Sequence, residues 1–139
     1  WQKKFPNVQL DEGVLPLEKE VTHCRLLIST YMATTYNESL AANIPTVIYW
    51  DPKLWEWDES AESDFEILES VGIFHNTPKS AAQHIFKIWN NVGKWWNSRE
   101  VQTAREDFCR KYAYRGKDII PKLAKVLKEA GNLSSPSNN

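Results

Sequence analysis

Between Leu26 and Trp50 the sequence passes from a compact apolar run, through a hydroxyl-rich turn and an amphipathic stretch, into a second apolar run. Leu26-Leu27-Ile28 has the unbroken apolarity of a strand buried on both faces. Leu40, Ala41 and Ile44 give the following segment the apolar stripe of a helix. Asn43 stands where that helix should stop, because Asn tolerates the left-handed conformation a C-cap needs, and Pro45 prevents continuation. Thr46-Val47-Ile48-Tyr49-Trp50 is then a strand by β-propensity, closed by Asp51-Pro52. Alternation of this kind argues for a parallel sheet with right-handed crossovers.

The flanking segments extend the alternation. Upstream, Val8 and Leu10 alternate with polar residues, so Phe5 to Leu10 reads as a half-buried strand. Pro16 with Leu17, Val21 and Cys24 predicts a short amphipathic helix. Thr35 and Glu38 have the S/T-x-x-E spacing of a capping box, which would satisfy two orphan N–H groups reciprocally. Downstream, the acidic, Trp-rich stretch from Lys53 to Glu62 reads as a loop. A helix from about Ser63 to Ser70 should bury Phe65 and Leu68 and stop at Gly72, and Ile73-Phe74 is a short edge strand. Thr77-Pro78 opens a helix with Ala81, Ala82, Ile85, Ile88, Trp89 and Val92 inward, ending at Gly93. Ser98 caps the next, with Val101, Ala104, Phe108 and Tyr112 inward. Asp118 opens the last, with Ile119, Ile120, Leu123, Val126, Leu127 and Ala130 inward and Gly131 as its stop. From Leu133 on, Ser, Asn and Pro dominate and disorder is expected. The expected architecture is α/β: a Rossmann-like parallel sheet flanked by helices over residues 1–132, with extra C-terminal helices and a disordered tail over 133–139.

Composition narrows the function classes. A chain of 139 residues is about one domain. Seventeen basic against eighteen acidic residues leave a net charge of −1, which excludes a protein that works by a global electrostatic grip on nucleic acid. Two cysteines, Cys24 and Cys109, are too few for a disulfide framework or a cysteine-based metal site and read as buried thiols of a reducing compartment. His23 and His84 fall on expected helices with no partner spacing, so no metal site and no cofactor is expected. No apolar run approaches the roughly 18 residues of a membrane span and no signal peptide opens the sequence, which points to the cytoplasm. Lys117, Lys122, Lys125 and Lys128 line the last helix as a solvated face, with a peripheral membrane contact as the weaker reading. Trp1 in first place and Met32 as the sole methionine suggest a piece of a larger protein. Seven tryptophans, at 1, 50, 55, 57, 89, 95 and 96, suit a core, an interface or a sugar-stacking site. Trp95-Trp96, joining two helices, reads as core or lobe interface.

In open parallel sheets ligands bind beyond the carboxyl ends of the strands, near helix N-termini. The candidate here is the turn after Ile28, where Ser29, Thr30, Thr34 and Thr35 carry four hydroxyls into the start of a helix. Free N–H groups and the helix dipole make such a turn an anion site; the plainer reading is that Thr34 or Thr35 caps the helix. Trp50, Asp51, Trp55 and Trp57 follow the second strand at its carboxyl end. Their indoles could stack on a base or sugar and Asp51 could accept from a hydroxyl, or the indoles pack the loop onto the sheet.

Glu38 to Val47, ESLAANIPTV, resembles the E-x-x-A-x-x-x-P segment in the C-terminal lobe of GT-B glycosyltransferases. GIFHNTPKSAAQHI, Gly72 to Ile85, is similar to the short strand, proline and helix that follow there. The two last helices fit that fold's terminal helices, which pack back across the lobes. The run TYMATTYNESLAANIPTVIYWDP, with WWNS at Trp95 to Ser98 and VQTAREDFCRKYA after it, more closely resembles a family of large bacterial transferases associated with surface-carbohydrate synthesis, as far as about Ala113.

The resemblance implies a nucleotide-sugar donor site. Glu38 matches the acidic residue that contacts the nucleotide ribose, and Thr34 and Thr35 match the helix start that holds the diphosphate leaving group. Many retaining members carry a second Glu where this chain has Thr30, so the anomeric outcome stays open, and Asn43 replaces a usual glycine. His75, after a strand that lies near the edge in that fold, reads as a turn residue. The catalytic residues are unknown, because the general base of inverting members usually sits in the other lobe. The expected donor-binding set is Ser29, Thr30, Thr34, Thr35, Glu38, Trp50 and Asp51. The expected partners are a nucleotide-activated sugar and an N-terminal lobe of the same chain. The function implied is the donor-binding lobe of a bacterial glycosyltransferase of surface polysaccharide synthesis, inactive as an isolated fragment. The alternatives are a non-catalytic α/β protein-interaction module, or the lobe of a CDP-polyol phosphotransferase.

Overall fold

The computed structural model describes residues 3–55, 58–114, 116 and 118–133. Helix α1 (Leu17–Glu20) runs into a 3-10 turn at Val21–His23, and strand β1 (Leu27–Ser29) follows. Next come α2 (Thr34–Ala41), β2 (Thr46–Tyr49), a 3-10 turn at Glu59–Ala61, α3 (Glu62–Ser70) and β3 (Phe74–His75). Helices α4 (Pro78–Ile88), α5 (Val92–Trp96), α6 (Arg99–Tyr112) and α7 (Ile119–Leu133) complete the order. The sheet is all-parallel in the order β1-β2-β3, with Ile28 beside Val47 and Ile48 beside Phe74. The protein is therefore α/β, with helices on both faces and extra helices at its C-terminal end.

Two crossovers end in the same way. After α2, Asn43 takes φ 59°, its N–H reaches the Leu40 carbonyl at 3.1 Å, and the Ile44 N–H reaches Ser39 at 2.9 Å. After α3, Gly72 takes φ 79°, its N–H reaches Glu69 at 3.0 Å, and the Ile73 N–H reaches Leu68 at 2.9 Å. Both are Schellman endings, which satisfy the last helical carbonyls and turn the chain into the next strand. Trp96 locks the first of them: its indole N–H donates to both the carbonyl and the side-chain oxygen of Asn43.

The main core lies between the sheet and α2, α3 and α6. Ile48, Trp50 and Phe74 meet Tyr36, Leu40, Phe65, Leu68, Trp96 and Phe108 there. Helix α6 ties this layer together. Buried Arg105 donates to the Leu40 carbonyl at the end of α2 (3.0 Å), to Gln102 (3.0 Å) and to Glu106 (3.2 Å), so its guanidinium is bonded on all three nitrogens. Lys111 and Tyr112, at the other end of α6, hold Asp64 near the start of α3.

Helix α4 covers the other face. His75 is a buried strand residue there, not a turn residue. Its Nδ1 lies 2.8 Å from the Ser80 hydroxyl and its Nε2 lies 3.2 Å from the Gly72 carbonyl. A carbonyl only accepts, so Nε2 carries the proton and Nδ1 accepts from Ser80. The His84 ring lies 5.1 Å from that of His75 and 5.0 Å from that of Trp95. Burial, then the charges of His75 and Lys87, push His84 down to about 4, and burial lowers His75 against the opposing pull of Gly72 and Glu69. The unfolded chain therefore takes up protons at His84 from about pH 6.5 downward while the folded protein does not until about pH 4. Stability should fall through that window and then level off, by about 1–2 kcal/mol once partial exposure of the ring is allowed for. Urea midpoints measured from pH 7.5 to 4 should show this loss, and His84→Phe should flatten the curve.

Several other sequence expectations need correction. Strand β1 is not buried on both faces, since Ile28 is exposed, and Ala82, Trp89 and Tyr112, expected inward, are exposed as well. Phe5 to Leu10 is turn and extended chain with Val8 and Leu10 exposed, since an alternating pattern with no neighbouring strand to pair with does not make a strand. The helix expected to run to Gly93 breaks at Trp89–Asn91, where the Asn91 side chain accepts from the Lys94 N–H and starts α5, so Gly93 is helical. Gly131 likewise lies inside α7. The inward face of α7 is instead exposed, Ile120 at 70% and Leu127 at 62%. Cys24 is exposed and Cys109 half-buried. Trp1, Trp57, Lys117 and the tail 134–139 lie outside the described residues.

Candidate functional site

Because the sheet is all-parallel, the ends of β1, β2 and β3 open on one rim, and α2, α3 and α4 start from it. The residues expected at the site divide into three groups there. Ser29 is buried at the end of β1, its hydroxyl 3.4 Å from the Tyr31 carbonyl. Thr30 is exposed beside it. Asp51, after β2, is exposed and accepts from the Lys53 N–H at 2.9 Å, an Asx-type turn that the Leu54 N–H to Asp51 carbonyl bond closes.

Thr34, Thr35 and Glu38 lie on α2, but not as a capping box. The helix starts two residues earlier than that pattern requires. Ala33 is the extended N-cap residue and no side chain caps the helix, so Thr35 is already inside the first turn. A start without a side-chain cap keeps its first N–H groups available for an outside acceptor, with the positive end of the helix dipole behind them. Glu38, exposed and freed from the capping role, stands four residues beyond Thr34 on the same face, about 6 Å along the axis. Both line an open groove of about 300 Å³ with Asn37, Ala41, Tyr112, Ala113 and Tyr114. The Asn37 side-chain oxygen is buried there without a hydrogen-bond partner.

Trp50 belongs to the core and is removed from the ligand face. It is only 2% exposed, and its ring packs 5.5 Å from Tyr36, 5.4 Å from Phe65 and 4.9 Å from Phe74. The strand's alternation explains this: Trp50 continues the Thr46–Ile48 parity that faces α2 and α3. Trp55 behaves differently. It is 40% exposed and pairs with Tyr31, the ring centroids 6.5 Å apart.

Sequence reasoning did not find the cluster at the end of α6. Asp64 sits with its carboxylate 2.6 and 2.9 Å from Lys111 Nζ and 2.8 Å from the Tyr112 hydroxyl. The bond to Lys111 holds the Asp64 carboxyl below its usual range, and Asp64 in turn raises the Tyr112 hydroxyl. Asp64 and Lys111 are 47 residues apart, and no local spacing announces such a contact. The cluster fixes the tyrosine end of the groove against α3.

Among the described residues no group of three or more His, Cys, Asp or Glu is placed to hold a metal ion, and no helix is long and apolar enough to cross a membrane. No curated protein and no solved structure matches the chain. One family model does, over residues 1–127, and its description is LIC12162 family transferase.

Proposed function

The chain belongs to the LIC12162 family of transferases, and from that premise we propose that it binds a nucleotide-activated sugar at the start of α2. The diphosphate meets the first N–H groups of that helix and the hydroxyls of Thr30, Thr34 and Thr35. Glu38 accepts from the ribose hydroxyls one turn further on. The observation that supports this most directly is that a helix start without a side-chain cap, on the rim where parallel sheets take ligands, leads into a groove along α2 that an exposed carboxylate lines. The chemistry suits the task. Transfer from such a donor develops negative charge on the departing diphosphate, and oriented N–H dipoles stabilise that charge without reorganising. A carboxylate takes two neighbouring hydroxyls with charge-assisted bonds. The resemblance in ESLAANIPTV supports the sugar nucleotide as donor, and the longer resemblance from TYMATTYNESLAANIPTVIYWDP to VQTAREDFCRKYA supports surface carbohydrate as the product class.

The test is a titration of the labelled protein with UDP, GDP, CDP and CMP followed by NMR. One of them should shift the amides of Thr34 to Tyr36, and Glu38→Ala should weaken that ligand about tenfold or more, the loss of a hydrogen-bonded charge. Shifts nowhere, or an unchanged affinity in Glu38→Ala, would remove the reading. The interaction-module alternative draws on the exposed Trp-rich loop at Leu54 and Trp55 and would show itself as shifts nowhere or only around Trp55.

A further inference from the structure

Ser29 and Asp51, both expected to touch a ligand, are engaged in shaping the two rim loops. Ser29 turns its hydroxyl to the Tyr31 carbonyl, and Asp51 closes the turn from which Leu54 and Trp55 project. The loops they brace bring Tyr31, after β1, against Trp55, after β2. The rings are tilted by 41° with centroids 6.5 Å apart, so they touch without covering each other's faces. Tyr31 is 52% exposed, Trp55 40% and neighbouring Leu54 76%. Large aromatic rings held open to solvent by dedicated turns, on the rim where the donor's anionic part is received, have a specific chemical complement.

We infer that the Tyr31–Trp55 pair is the platform for the sugar ring of the donor, with Ser29 and Asp51 as its positioning residues. A pyranose has an apolar face of C–H bonds and a polar edge of hydroxyls. An exposed aromatic pair takes the face, and the hydroxyls of Tyr31 and Thr30 and the free carboxylate oxygen of Asp51 lie on the same two loops for the edge. The start of α2, where the diphosphate is received, stands between Tyr31 and Glu38 along the chain, the order of sugar, diphosphate and ribose in the donor, and Trp55 joins Tyr31 from the loop after β2. The inference rests on the donor-site reading and adds to it the part of the donor that decides specificity.

The experiment compares paired ligands, UDP with UDP-glucose and GDP with GDP-mannose, on protein carrying nitrogen-15 in its indole rings. The Trp55 indole signal should move with the sugar nucleotide and stay with the nucleotide alone. Trp55→Ala should weaken the sugar nucleotide roughly three- to tenfold and leave the nucleotide unchanged, and Trp55→Phe should restore most of the loss. An unaltered melting curve for Trp55→Ala separates this from misfolding. Nucleotide shifts at Thr34 to Tyr36 with no added effect of the sugar at Trp55 would overturn the platform and leave the donor site standing. Equal weakening of nucleotide and sugar nucleotide would also overturn it. Absence of binding by every pair would overturn both.

Discussion

Gly72→Ala should destabilise the protein by about 3 kcal/mol and lower its melting temperature by about 10 °C. Two costs add at this position. The backbone sits at φ 79°, where an L side chain meets the following carbonyl, a penalty of about 1–2 kcal/mol. The added Cβ would also fall 2.4 Å from Cε1 of His84, with both ring nitrogens inside 3 Å. That ring is packed between His75 and Trp95 and has nowhere to retreat without disturbing α4, an overpacking cost of about 1–3 kcal/mol. Gly13 supplies the control. It has φ 71° but nothing within 4 Å of its would-be Cβ, so Gly13→Ala carries the backbone penalty alone. Thermal and urea denaturation of the two variants should separate clearly. Equal losses would mean that His84 yields freely, and the packing of the β3–α4 face described above would be wrong.

Trp50→Ala should cost about 3–5 kcal/mol, the usual penalty for emptying a buried indole site. Its ring contacts α2 through Tyr36, α3 through Phe65 and β3 through Phe74, so the cavity opens at the junction of three elements. Trp55→Ala, by contrast, should stay within about 0.5 kcal/mol of the parent in the same assay. The two tryptophans stand five residues apart in one Trp-rich stretch, and urea midpoints decide which is scaffold and which is surface. Trp50→Phe, which keeps most of the packing, should retain whatever nucleotide affinity the parent has. A specific loss of affinity in that variant would return Trp50 to the ligand face.

The crossover from β1 to β2 was legible because every signal in it is local. Apolar runs, a stop at Asn43, a proline and a β-branched strand all act over a few residues, and the stop at Gly72 and the edge strand after it were read on the same grounds. The capping box failed on a shift of two residues, from Thr35 to Ala33 as N-cap. Threonines stand at both 34 and 35, and the helix that starts at Thr34 leaves Thr35 nothing to cap. Helical periodicity also ran through Trp89 and Val92 without a break, yet Asn91 caps a new helix there, and a local side-chain bond prevailed over an uninterrupted apolar face. In α7 the period was right and the conclusion was not, since a stripe of apolar residues shows which face could be covered and not what covers it. At the site, the residue types on the rim could be read, but not their division of labour. Whether an indole faces the core or solvent follows from strand parity and loop path. Asp64, Lys111 and Tyr112 meet only because α6 lies across α3.

That lie of α6 sets the order in which the protein can be completed. Arg105 seals the end of α2 from 65 residues downstream, and Lys111 reaches Asp64 across 47. Contacts of such long sequence separation form late, since the loop-closure cost comes before the contacts that repay it. On a ribosome, β1, α2 and β2 emerge well before the helix that clamps them. The nascent rim is then a set of loosely joined pieces until translation passes Tyr112, and only afterwards does it acquire the fixed spacing that a rigid ligand would require.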